Sequence, residues 1–211
     1  VAEESARKTW ASYITRFRNA LHPVTIGIIG KYTTVRDSYA SIIQSIEHAG
    51  AYTGATVRLE WVDSTDLTDA NVADRLRGLH GVIVPGGFGF RGFDGKIACV
   101  KHVREQGIPY LGICYGMQIA VVEFARNVCG LTHAGSTEIE PDCPQPVIDL
   151  LPEQKKIEGL GGNMRLGGFD LVLSPGSMIA ELCGGAERIR LRFRHRYEVD
   201  PQFIAALEKK G

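Results

Sequence analysis

The sequence has no excess of charge of either sign: Lys and Arg number 24, and Asp and Glu number 24, in 211 residues. This excludes a field strong enough to draw the whole molecule onto nucleic acid or an anionic membrane, so any such binding has to be local. No apolar run approaches the roughly 20 residues that cross a bilayer. The first residues, "VAEESARKTW", lack the charged-then-apolar order of a secretory signal. A cytoplasmic location is the expectation. Cysteine is present but unorganised. Cys99, Cys114, Cys129, Cys143 and Cys183 are odd in number and scattered, with no Cys-x-x-Cys pair and no Cys/His set at zinc spacing. Free thiols and no metal site are predicted. Internal repeats and low-complexity segments are missing too, which excludes a repeat solenoid.

What is present is an alternation of short apolar runs and helical periodicity, in a length that suits one sizeable α/β domain or two small ones. From Ala2 to about Leu21 a polar stretch carries Trp10, Tyr13, Ile14 and Phe17 at helical spacing, and residues 1–22 read as a linker or docking helix. "VTIGIIG" (Val24 to Gly30) is β-branched, apolar throughout and closed by glycine, as expected of a strand buried on both faces in a parallel sheet. Asp37 or Ser38 is predicted to cap a helix through His48 with Tyr39, Ile42, Ile43 and Ile46 on one face and Gly50 as its stop. The pattern predicts a strand over Thr56–Val62, a short helix over Asp69–Arg77, a strand over Gly81–Pro85, a helix over Lys96–Gln106 and a strand over Ile108–Ile113. The fold class is α/β, an open, doubly wound, mostly parallel sheet flanked by helices. After Gly130 the order weakens. A Pro-rich loop ("EIEPDCPQP") and Gly-rich turns ("GLGGNMRLGG", around Met164 to Leu173) suggest a smaller, more antiparallel portion in the C-terminal half, ending in a helix over Pro201–Lys210.

The chemistry concentrates at Gly112-Ile113-Cys114-Tyr115-Gly116. A nucleophile between two glycines, straight after a buried strand and straight before a helix carrying Ile119, Val122 and Phe124, has the form of a nucleophile elbow. Such a turn strains the nucleophile's backbone, and the glycines let neighbouring backbone approach closely. The helix N-terminus is expected to lower the thiol pKa toward neutrality, and the Tyr115 N–H to face the oxygen of a carbonyl under attack. The plainer alternative, a cysteine used as a small apolar residue, is assigned to the other four. The glycine cluster "PGGFGFRG" (Pro85 to Gly92) follows the preceding strand at the sheet edge where ligands bind, and Gly87 is the expected second oxyanion donor.

The blocks "IGIIGKYTTVRDSYASIIQSIEHAG", "GVIVPGGFGFRG", "GKIACVKHVREQGIPYLGICYGMQIAVVEFARNV", "STEIEP", "GGNMRLG" and "RHRYEVDP" together resemble the class I glutamine amidotransferases, and within them the glutaminase domain of CTP synthases. The resemblance covers most of the chain. It implies that Cys114 attacks the side-chain amide of L-glutamine, giving a γ-glutamyl thioester and ammonia, and that water then releases glutamate. It implies glutamine contacts at Gly87, Tyr115, Gly116, Met117, Gln118, Glu138 and Arg196, with no cofactor in this domain. It further implies a separate synthetase domain using ATP, UTP and Mg²⁺, GTP as an allosteric activator acting near the loop from Phe88 to Lys96, and a homo-oligomer, a tetramer, of full-length chains. Residues 23–211 correspond to the amidotransferase domain, which is expected to be truncated at its C-terminus. Tyr115 stands where the family usually has leucine, and Asn163 where it has threonine. The family's base and orienting acid lie in a His-Pro-Glu motif, and no His-x-Glu occurs in this sequence.

"RIRLRFRHR" places Arg188, Arg190, Arg192, Arg194 and Arg196 on one face of a predicted strand, with Ile189, Leu191, Phe193 and His195 on the other. A half-buried strand with a wet, charge-paired face is expected rather than a nucleic-acid surface, since no stacking aromatics accompany the run. Two other functions stay open at this stage. One is a catalytically silent glutamine-binding or assembly module; the other is a cysteine hydrolase of a different family on the same elbow.

Overall fold

The computed structural model describes residues 2–31, 36–151, 154 and 164–211, which divide into two compact units, residues 1–132 and 133–211. The predicted replacement at Asn163 lies outside the described residues.

The first unit is built on four parallel strands, β1 (His22–Gly30), β2 (Ala55–Asp63), β3 (Gly81–Val84) and β4 (Tyr110–Gly112), in the order β2-β1-β3-β4. Because consecutive strands are parallel, each must be joined by a crossover, and every strand therefore ends at the same edge of the sheet. Helix α1 (Ala2–Arg18) is largely exposed and meets α2 (Ala40–Thr53) through the Tyr13 ring, edge-on to His48 at 5.3 Å. One face of the sheet packs Ile29, Val82 and Val84 against Leu76, Cys99 and Val103, the last two from α4 (Phe93–Glu105). The other face carries α2. Beside it lies an apolar groove of about 470 Å³ lined by Ile26, Ile83, Leu111 and Ile113 among others, in which Leu111 remains 55% exposed.

Several boundaries differ from the sequence expectation. Gly50 does not stop α2: it faces β2, where an added Cβ would lie 2.8 Å from the Ala55 carbonyl oxygen. The stop is Gly54, at φ 75°, whose N–H donates to the Gly50 carbonyl. Asp37 and Ser38 lie in a 3-10 turn (Arg36–Tyr39) rather than capping α2. The helix expected from Asp69 shrinks to one turn, α3 (Val72–Arg75), because the Asn71 side chain accepts from Thr68 N–H and donates to Asp66 O, holding the preceding residues in a turn. Helix α4 begins at Phe93, three residues before Lys96. β4 starts later than expected, after Pro109, which has no N–H to donate, and it is not the buried strand expected: Tyr110 and Gly112 are half-buried and Leu111 is exposed.

The second unit has β5 (Ala134–Ser136) parallel to β6 (Gln145–Asp149), with β9 (Glu198–Val199) antiparallel on the other side. A hairpin of β7 (Arg165–Val172) and β8 (Arg188–His195) stands as a separate antiparallel pair. The short α6 (Met178–Leu182) lies between them in sequence, and α7 (Pro201–Glu208) closes the unit, capped by the Asp200 carboxylate accepting from Gln202 N–H. The smaller antiparallel portion is thus present. Arg165 to Val172, expected as Gly-rich turns, form a strand through Gly167 and Gly168. β8 alternates in part: Ile189, Phe193 and His195 are half-buried and Arg188, Arg190, Arg192 and Arg194 exposed, but Leu191, expected on the inner face, is 49% exposed. Asp170 on β7 faces Arg190 at 3.0 Å. Arg196 lies past the end of β8 and is not part of that face.

Candidate active site

At the strand-end edge of the first unit, the chain leaves β4, turns through Ile113 and Cys114, and enters α5 (Tyr115–Asn127). Ile113 N–H donates to the Val84 carbonyl at 3.0 Å, which ties the turn to the end of β3. Cys114 adopts φ 53° and ψ −106°, and among the described residues it is the only non-glycine residue with positive φ. A backbone held this way stores about 1–3 kcal/mol and persists only where its surroundings dictate it. Here the glycines on either side dictate it. A Cβ on Gly112 would fall 2.6 Å from the Gly116 carbonyl carbon, and one on Gly116 would collide with the Val84 carbonyl oxygen. Strand end, turn and helix start pass too close for any side chain at those positions, so the bend is forced on the one residue between them that has reactive chemistry.

The glycine cluster after β3 reaches the same place. An added Cβ on Gly86 would be 3.6 Å from Cys114 Cβ, and one on Gly87 would be 3.8 Å from Tyr115 Cδ1. The structure therefore brings Gly87, Cys114 and Tyr115 together, with Gly116 and Gln118 buried and Met117 40% exposed in the first turn of α5. Tyr115 is 2% exposed, and its hydroxyl donates to the Gly89 carbonyl at 2.7 Å. Lys31, just past β1, donates to the Phe88 carbonyl at 2.5 Å. The loop is thus held at several points, although Phe88 and Phe90 themselves are exposed.

Two buried ionic residues of the first unit escaped the sequence reading. Lys96 is 3% exposed, and Glu123 is fully buried, gripped by Arg104 through Nη2 at 2.8 Å and Nε at 2.9 Å and by Asn127 at 3.0 Å. Those hydrogen bonds hold the Arg104 guanidinium above its usual pKa. The signal was in the spacing. Lys96 precedes Cys99, Val100 and Val103 by three, four and seven residues, and Glu123 follows Ile119 by four, so each lies on the buried face of its helix. Phe124, named with Ile119 and Val122 on this helix, is only half-buried, whereas those two are buried.

The remaining thiols have different surroundings. Cys99 has no exposed surface, and burial pushes its pKa up to about 12. Cys143 is buried and donates to the His133 carbonyl. The histidines of the first unit stand away from the elbow. His22 opens β1 and His80 precedes β3, at the opposite edge of the sheet, where His80 Nδ1 accepts from Thr25 N–H. His48 packs on Tyr13, and His102 lies in the last turn of α4.

In the second unit, Glu138 follows β5, its N–H donating to Ser136 Oγ at 3.2 Å. The Tyr197 phenol is pushed up by burial first and then by the Glu138 charge, while Arg196 opposes the rise. Glu138, Arg196 and Tyr197 therefore share one neighbourhood. The Arg196 backbone is pinned by Gln154 Nε2, which donates to its carbonyl at 3.0 Å.

The family model for glutamine amidotransferase class-I matches residues 34–210. The chain belongs to the class I glutamine amidotransferases. It is 49% identical over 210 residues to a CTP synthase of Archaeoglobus fulgidus, a match covering 100% of this chain and 39% of that protein. A CTP synthase of Thermus thermophilus is 46% identical over 202 residues, covering 96% and 36% respectively. The chain therefore spans about two-fifths of the length of these relatives. Among solved structures, the glutaminase domain of Trypanosoma brucei CTPS with bound acivicin superposes with a TM-score of 0.82 at 35% identity, over 89% of this chain and 72% of that one. This amidotransferase is accordingly of the CTP synthase type and corresponds to the glutaminase part.

Proposed function

We propose that the chain hydrolyses L-glutamine through Cys114 and that, in the full-length enzyme, the ammonia serves the ATP-dependent conversion of UTP to CTP. The observation that carries the reading is the strained backbone of Cys114, held by two obligatory glycines beside Gly87 and the first residue of a helix. The Cys114 sulfur adds to the glutamine side-chain carbonyl carbon. The oxygen of the tetrahedral adduct takes hydrogen bonds from the Gly87 and Tyr115 N–H groups, each such donor contributing roughly 10²–10³ in rate in comparable sites. The C–N bond then breaks, nitrogen leaves as ammonia carrying the proton that the thiol gave up, and a C–S thioester remains. Water adds to the thioester, and glutamate leaves as the thiol is restored. Acivicin, bound by the Trypanosoma brucei domain, is a glutamine analogue, which supports glutamine as the substrate.

None of His22, His48, His80 and His102 is placed at the elbow, and the sequence has no His-Pro-Glu motif, so this reading assigns the proton transfers to no described residue of the first unit. ATP, UTP and Mg²⁺ belong on this reading to the synthetase domain, and GTP to the control of hydrolysis.

The test is acid-quenched incubation of the protein with L-glutamine, followed by peptide mass spectrometry. A γ-glutamyl adduct is expected on the peptide carrying Cys114. An adduct on another cysteine contradicts the assignment. Absence of any adduct, with glutamine still protecting Cys114 from alkylation, favours the silent binding module.

A further inference from the structure

We infer that Lys96 is a positioning residue for glutamine hydrolysis: its buried ammonium group holds the loop 86–92 and the Tyr115 ring together, so that Gly87 and Tyr115 keep their places beside the thiol. This rests on the reading of Cys114 as the nucleophile.

Lys96 Nζ lies 3.1 Å from Ser64 Oγ, 3.4 Å from the Gly92 carbonyl oxygen and 5.6 Å from the centre of the Tyr115 ring. Among the described residues it makes no ion pair with a carboxylate. An ammonium buried to this degree without such a partner is an expensive way to fill space, since an apolar side chain of similar length carries no desolvation cost. What the charge adds is a junction. Ser64 follows β2, Gly92 ends the glycine loop and starts α4, and Tyr115 starts α5 next to Cys114. A point charge with three donors can hold two oxygens and a ring face at once. The Tyr115 hydroxyl then reaches back to the Gly89 carbonyl, so ring and loop are fixed as one assembly. Small displacements of groups aligned on a reacting carbonyl cost rate steeply.

The charged and titratable groups facing Lys96 are Lys31 past β1, Asp63 at the end of β2, Cys99 on the next turn of α4 and the Tyr115 ring of α5. Burial, and after it repulsion from Lys31, lowers the Lys96 pKa to about 8, against the pull of Asp63. As pH rises through that value the group becomes a neutral amine, loses its attraction to the ring and gives up a donor, so the loop loosens. Stability moves the other way. An unfolded lysine keeps its proton up to 10.5, so between about 8 and 10.5 the folded state binds fewer protons than the unfolded one and gains stability from this group as pH rises. Falling turnover with undiminished stability in one pH window is a pattern that a purely structural lysine does not produce.

The experiment uses the full-length enzyme with L-glutamine, following kcat, KM and thermal unfolding against pH. Lys96→Met is expected to lower kcat roughly tenfold or more through misalignment, to leave KM nearly unchanged, to keep or raise Tm, and to abolish the alkaline decline near pH 8. Iodoacetamide labelling of Cys114, which needs no aligned carbonyl, should keep its wild-type rate. Lys31→Gln preserves a donor for the Phe88 carbonyl and removes the repelling charge, so it should move the decline to higher pH. Wild-type kcat and an unchanged pH profile in Lys96→Met overturn the proposal. Should that variant not fold, a decline that stays in place in Lys31→Gln overturns it equally. Cys114→Ala controls the underlying reading: glutamine hydrolysis that survives in Cys114→Ala sinks the nucleophile assignment, whereas an inactive Cys114→Ala beside a fully active Lys96→Met sinks the role of Lys96 alone.

Discussion

Cys114→Ala in the full-length enzyme is expected to cut glutamine-dependent CTP formation by roughly 10⁴-fold or more, the scale seen when a covalent nucleophile is deleted, while CTP formation from added ammonia stays within about twofold. The first effect follows because the elbow offers no substitute. Cys99 is fully buried and its thiol titrates near 12, Cys143 is buried and donates to a carbonyl, and neither lies at a positive-φ turn. The second follows because only one methylthiol-sized group changes, at a half-buried position, with Gly112 and Gly116 left to keep the backbone in its bend. Steady-state assays with each nitrogen source measure both. Loss of the two activities together would mean that Cys114 supports the fold or the synthetase step, not a separable glutaminase.

Arg104→Ala is expected to be the most damaging substitution to stability away from the elbow, lowering unfolding free energy by about 3 kcal/mol and Tm by roughly 6–10 °C. The reason is asymmetric burial. Glu123 has no exposed surface, whereas the Arg104 side chain is 33% exposed. Removing Arg104 strands a carboxylate in the contact between α4 and α5 with Asn127 as its remaining partner. Removing the carboxylate instead, as Glu123→Leu, frees a guanidinium that already reaches water, and should cost within about 1 kcal/mol. Urea unfolding of both variants checks the order. If Glu123→Leu proves the worse of the two, the pair is net stabilising through geometry rather than needed to neutralise a buried charge.

The sequence made the parallel half of the fold and its elbow visible because both depend on short-range patterns. β1 and β3 are apolar runs that end in glycine or proline, and the spacing of Gly112, Cys114 and Gly116 has one steric solution. What it concealed depends on partners distant in the chain. Gly50 looked like a helix stop, yet it is a contact with β2, and Gly54 does the stopping. Asn71 shortened α3 by side-chain hydrogen bonds that hydrophobic periodicity does not register. Lys96 and Glu123 carry charge yet occupy helical positions on the dry face, which residue type alone does not signal. In the second unit, glycines at 167 and 168 suggested turns where a β-hairpin forms, since the residues that pair with them, Phe193 and Arg192, lie far along the chain in β8. Glu138 and Arg196 were named through the family resemblance, with no local pattern pointing to them, and Tyr197 as their neighbour came only from the structure.

The most direct measurement of the central claim is the rate of acivicin modification at each of the five cysteines, followed by peptide mass spectrometry with and without excess L-glutamine. A strained, helix-leading Cys114 should be labelled alone and be protected by glutamine, with Cys99 and Cys183 unmodified over the same interval. Labelling of Cys99 or Cys183 as fast as Cys114, or labelling that glutamine does not slow, would contradict it.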